Sequence, residues 1–416
     1  MKKKLFVAVS VCAIFLSGIP AIFAADAETD ANAGAEDVIV PDMNFTGEPI
    51  ALSLKDALKR ITTAGPGYEN AVLAKESLEA QAKGQEELWS QFRRASNELS
   101  AANAYINSIP IGTPERDALA AQTAMTINPM HTLNARLVKL ARPHLEGQAV
   151  IGYEIDLNKL VYDTTKVYHS VLQAQEALVI AEENLRIQNE ILANTRKKFD
   201  LGMVAKMDVL SSESAAQDAV VKVNAASSGL KSAKMSFNIQ LDLPLMQDVS
   251  LTDALQMADA PEIDLKASIA AALTNRNELR QLQFVVEKEQ LEITDLATVS
   301  RYGSEYLTAA LELKTAEKSL KDTKAYIELE IRTKYENIQN LAEEIASIEK
   351  AAANAKEGYR LADLSYNAGM NTLVDVQNVQ LASYQAQLGL AAKILEYNLA
   401  ISDFEIATGY GVGGAR

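Results

Sequence analysis

Apolar side chains recur at helical spacing over unusually long windows of this chain. Val171, Leu178, Leu185, Leu192 and Phe199 fall every seven residues, with the small residues Ala174 and Ala181 interleaved. A second series does the same at Ile338, Ile345, Ala352 and Tyr359, with Leu341, Ile348 and Ala355 offset by three. Heptad spacing predicts long helices packed along a narrow seam, and alanine in the seam lets helices approach closely. At a rise of about 1.5 Å per residue, a helix from Asp163 to Phe199 is a rod of roughly 55 Å, longer than an ordinary globular helix. The stripes predict core packing and imply no cofactor box.

The pattern is duplicated. Lys198 to Leu210 lines up with Ser365 to Gln377 at a constant offset of 167 residues, with an aromatic, Gly-Met and Asp-Val in register. A long periodic segment precedes each glycine and another follows it, ending near Phe237 in one copy and Phe404 in the other. Each copy therefore predicts an antiparallel helical hairpin whose turn is a glycine in the left-handed region, where a Cβ is penalised. Asp208 and Asp375 fall a few residues into the following helix, where the helix dipole favours a carboxylate. They serve either as first-turn acids or in a functional role at an exposed tip. A further echo relates Leu52-Ser53-Leu54-Lys55-Asp56-Ala57-Leu58-Lys59 to the run from Ile263 to Leu279, each leading into more helix. Pro244 and Pro261 flank the crossover between the halves.

Composition narrows the class. Aromatics are 6% of the chain and helix formers dominate, which excludes an all-β fold. Lys2, Lys3 and Lys4, an apolar stretch from Leu5 to Ile19 and small residues at Ala24 and Ala25 read as a signal peptide over residues 1–25. Cys12, the only cysteine, follows Val11 within apolar sequence, a poor context for lipid attachment. Cleavage removes three lysines and no acids, taking the net charge from −15 to −18. Such acidity disfavours nucleic acid, which demands clustered Lys and Arg. His131, His144 and His169 are scattered without metal-site spacing, and Gly411, Gly413 and Gly414 form a tail rather than a phosphate loop, so no catalytic residue, metal or cofactor is expected. The expected organisation is a flexible leader over 26–50, with order beginning near Leu52. A helical repeat over 51–248, a second over 249–408 and a flexible tail over 409–416 follow.

The opening Ala272-Leu273-Thr274-Asn275-Arg276-Asn277-Glu278-Leu279, the two aromatic-x-x-Gly-x-x-x-x-x-Asp-Val tips and the tandem duplication resemble the TolC-type outer-membrane efflux duct family. The resemblance covers most of Leu52 to Gly409. It implies a homotrimer whose helical hairpins form a hollow periplasmic cylinder, barrel strands from three protomers closing one pore, and tips that dock a periplasmic adaptor of an inner-membrane pump. Carried over by residue, Leu201, Gly202 and Met203 form one tip and Ala368, Gly369 and Met370 the other. Asp208, Asp375 and Tyr366 then lie near the lumen entrance, with Phe199 standing at the place equivalent to Tyr366.

Membrane strands are scarce in the sequence. Ala149 to Leu157 is one candidate, because Ile151, Tyr153, Ile155 and Leu157 alternate with Gly152, Glu154 and Asp156. The remaining insertion, Trp89 to Glu146, is mixed and charged, and in the second half only Thr298 to Thr308 interrupts two helical patterns. A spanning strand needs about 9 to 11 residues, so two do not fit there. The expected fold is mainly α: long antiparallel coiled-coil hairpins in two tandem repeats, with little or reduced β-barrel. The leading function is a non-catalytic duct component in the cell envelope. The alternative is a barrel-less extracytoplasmic scaffold or interaction protein.

Overall fold

A computed structural model describes residues 45–126, 129–299 and 301–409. The signal peptide, most of the leader and the tail beyond Gly409 lie outside the described residues. Strand β1 (Thr46–Leu52) is followed by α1 (Leu54–Ile61), α2 (Pro66–Ser108), α3 (Pro114–Thr126), α4 (Pro129–Asp200) and α5 (Lys206–Gln240). Strand β2 (Gln247–Leu251) then leads to α6 (Leu265–Asn275), α7 (Asn277–Val299), α8 (Ser304–Asn367) and α9 (Leu373–Ala407). Helices α5 and α9 begin and end at positions 167 residues apart, so the sequence duplication is a duplication of hairpins, α4 with α5 and α8 with α9.

The hairpins are joined along their length. Helix α4 packs on α5, α2, α9, α7 and α1, and α8 packs on α9, α7 and α6. With 72 residues, α4 runs about 108 Å, twice the expected rod. Its buried stripe differs from the expected heptad series. Ala181, Asn184, Gln188, Ile191 and Thr195 are buried at alternating spacings of three and four, whereas Leu178, Leu185 and Leu192 lie half-buried on the flank and Phe199 is exposed. The seam against α9 therefore carries polar groups, and Gln380 donates to the Asn184 amide oxygen at 3.2 Å. The second series follows expectation more closely, with Ile338, Leu341, Ile345 and Ala352 all buried.

Each half closes its own apolar cluster away from the glycine turns. In the first, Ala57, Ile61, Tyr168, Val171, Leu172, Phe237, Leu241 and Val249 pack together. In the second, Ala272, Leu279, Ile331, Tyr397 and Phe404 are among the members. Equivalent arginines tie these clusters to the hairpin ends. Arg60 at the end of α1 donates to the Leu241 carbonyl after α5 (3.0 Å), and Arg276 between α6 and α7 donates to the Ala407 carbonyl ending α9 (3.0 Å). Both satisfy helix-terminal carbonyls that have no partner within the helix. Arg276 also pairs with Glu278 and Glu330.

Two expectations are corrected. Residues 149–157 are not a strand but lie within α4, where Tyr153 meets Tyr68 edge-on and Lys75 from α2. The leader does not extend to Ile50, because β1 begins at Thr46. β1 pairs in parallel with β2, with Ile50 opposite Val249 and Leu52 opposite Leu251. Asp253, just past β2, secures the pairing by accepting from the Leu54 N–H (3.0 Å) and the buried Tyr168 hydroxyl (2.7 Å). Among the described residues these are the only strands, and they form an open two-stranded sheet. No described helix is long and apolar enough to cross a membrane.

Candidate functional site

The two glycine turns end their hairpins in the same way. Gly202 and Gly369 have φ of 70° and 78°. At each, the glycine N–H reaches back to the aromatic carbonyl, Phe199 at 2.8 Å or Tyr366 at 3.0 Å. The next N–H, from Met203 or Met370, reaches the residue before that aromatic, Lys198 or Ser365, at 2.8 Å. This paired closure terminates a helix on a left-handed residue. Leu201, Met203 and Met370 are 75%, 65% and 75% exposed, so both turns present large apolar side chains to the outside.

The acids take helix-capping positions. Asp208 accepts from the Ala205 N–H at 3.0 Å, and Asp375 accepts from the Thr372 N–H at 3.0 Å and its hydroxyl at 2.6 Å. Thr372 returns a contact by accepting from the Asp375 N–H at 3.3 Å. The Thr372 hydroxyl and then its backbone hold the Asp375 carboxyl below its ordinary range. The first-turn reading of these acids is thus seen directly, while Ala205 offers no hydroxyl where Thr372 does.

Tyr366 lies between the hairpins rather than at a free surface. It is buried with Ile191, Ala362, Leu373 and Val376 in a cluster shared by both copies. Thr195 donates its hydroxyl to the Ile191 carbonyl (2.8 Å) and so accepts from the Tyr366 hydroxyl (3.1 Å). Lys198 donates to the Tyr366 carbonyl and sits 3.4 Å from the ring centroid. A cation is favoured there because the α8 C-terminus is the negative end of the helix dipole. Burial pushes the Lys198 ammonium down, against the opposing charge of Asp363. The sequence reading missed Thr195 and Lys198 as links between the tips. The signal for Lys198 was the break in repeat symmetry, its counterpart being Ser365.

What both turns offer is shape and exposed apolar surface. No group of three or more metal-ligating side chains occurs among the described residues. No family model matches the sequence, and no curated protein matches it. Solved structures do share its fold. The Campylobacter jejuni CmeC outer membrane channel superposes with a TM-score of 0.58 at 13% identity, covering 86% of this chain and 85% of that one. A membrane protein from Pseudomonas aeruginosa gives 0.64 at 11% identity, over 86% and 93%. The open state of the Neisseria gonorrhoeae MtrE outer membrane channel gives 0.58 at 13% identity, over 86% and 88%.

Proposed function

We propose that this protein is a non-catalytic component of an envelope-spanning efflux or secretion duct. In this reading it is a homotrimer whose hairpins enclose a channel. Leu201, Gly202, Met203, Ala368, Gly369 and Met370 dock a periplasmic adaptor and its inner-membrane pump, and Asp208, Asp375 and Tyr366 stand near the entrance. The observation that carries the proposal is the pair of equivalent hairpins, locked side by side through Thr195, Lys198 and Tyr366 and ending in exposed apolar turns. The fold shared with outer membrane channels supports it.

Size exclusion with light scattering tests the assembly, with three chains per particle expected and a monomer of sequence mass overturning it. The tips are tested with Gly202→Val and Gly369→Val. No atom comes within 4 Å of a Cβ built at either glycine, so the cost is conformational, about 1–2 kcal/mol each, and the folded helices persist. Dye retention by cells should rise in both variants at normal expression, and unchanged export in both would remove the tips from docking. A second reading, a barrel-less scaffold of the envelope, is favoured by the open two-stranded sheet. A mature protein that assembles yet leaves export unaffected on deletion would support that reading.

A further inference from the structure

Far from the glycine turns, α7 and α8 leave a groove of about 400 Å³ lined by Leu282, Val285, Glu289, Leu311, Glu312 and Thr315, among others. Its floor and walls are mostly apolar, yet a carboxylate is built into it. Glu289 is only 7% exposed. Its Oε1 accepts from Lys288 at 3.0 Å, while its Oε2 is shut off from solvent without a hydrogen-bond partner. Burying half of a carboxylate unpaired is unfavourable, and such groups are retained where something else meets them. Two more carboxylates share the field. Burial pushes the Glu292 carboxyl up, and the like charges of Glu289 and Glu312 push it further, with Lys288 opposing. From α4, the neighbouring cation Arg136 is already engaged by Asp295.

We propose that this groove is a binding site for an amphipathic organic cation, whose apolar body lies against Leu282, Val285 and Leu311 and whose charge meets Glu289 and Glu312. A bare metal ion does not suit it, because no group of three metal-ligating side chains occurs among the described residues. An anion is repelled by the surplus of carboxylates, and a neutral ligand without an N–H or O–H donor leaves Glu289 Oε2 as it is. The volume falls within the range of small-molecule pockets. The inference does not depend on the duct reading, since it rests on the packing of two helices within one protomer.

Ethidium is the probe, titrated into the purified mature full-length protein and followed by its fluorescence, with the anionic dye 8-anilinonaphthalene-1-sulfonate as competitor. Saturable binding of one ethidium per chain is expected, undisplaced by the anionic dye. Glu289→Gln preserves size and hydrogen bonding, and Glu312→Gln alters only an exposed position, so the second variant remains informative if the first misfolds. Each should weaken ethidium about tenfold, the loss of one charge-assisted contact. Circular dichroism identical to the parent protein certifies the fold. No saturable binding, equal binding by a well-folded Glu312→Gln, or displacement by the anionic dye would overturn the proposal.

Discussion

At the scale of single residues, the duplication is most informative where its copies differ. Thr372 and Ala205 occupy the same position before their helices, but only Thr372 supplies a hydroxyl to the first turn. Ala205→Ser should therefore stabilise the protein by about 1 kcal/mol, read as a raised thermal midpoint, because a serine hydroxyl caps the first turn where an alanine methyl cannot. The Asp375 carboxyl has the opposite lesson. Its folded pKa is depressed, so its contribution is present above the ordinary carboxylate range and is lost as pH falls through the lowered value. The glycines at 202 and 369 were legible in sequence because few other residues tolerate positive φ. Thr195 was not, because a buried hydroxyl has no signature apart from its partner across the seam.

At the scale of elements, alternation misled at 149–157. Apolar residues at 151, 153, 155 and 157 satisfy a two-residue period, but 151 with 155 and 153 with 157 are also helical neighbours, and the flanking Gly147 and Asn158 stay within the same helix. The seam of α4 was displaced by one position for a related reason. Its inward groups include Asn184, Gln188 and Thr195, which an apolar count passes over in favour of their leucine neighbours. β1 escaped because Gly47, Glu48 and Pro49 are weak strand formers held by pairing with β2 rather than by local preference. Pro143 lies exposed inside α4, where it can donate no backbone hydrogen bond. Pro143→Ala should stabilise by about 2 kcal/mol, the helix gain of roughly 3 reduced by the greater freedom of the unfolded chain, and urea denaturation would measure it.

At the scale of the whole molecule, nearly all regular structure among the described residues is helical. Far-UV circular dichroism of the purified mature protein should therefore be almost wholly helical, and alkaline carbonate should release it from envelope fractions without detergent. A substantial strand signal together with detergent dependence would require a closed barrel. Much of this plan was legible, since the 167-residue offset reproduces both ends of α5 and α9. What the offset cannot convey is the link between halves, which depends on side chains unlike each other in the two copies, Lys198 against Tyr366 and Gln380 against Asn184.

The parallel pairing of β1 with β2 sets an order of events during folding. Ile50 must find Val249 across the whole of α1 to α5. Helices form locally in about a microsecond, whereas closing so long a loop costs chain entropy first. The first hairpin has therefore had time to zip before the strand at its foot finds a partner. Once β2 arrives, Asp253 meets Tyr168 and Leu54 together, so the sheet acts as a latch that closes only on a finished first half.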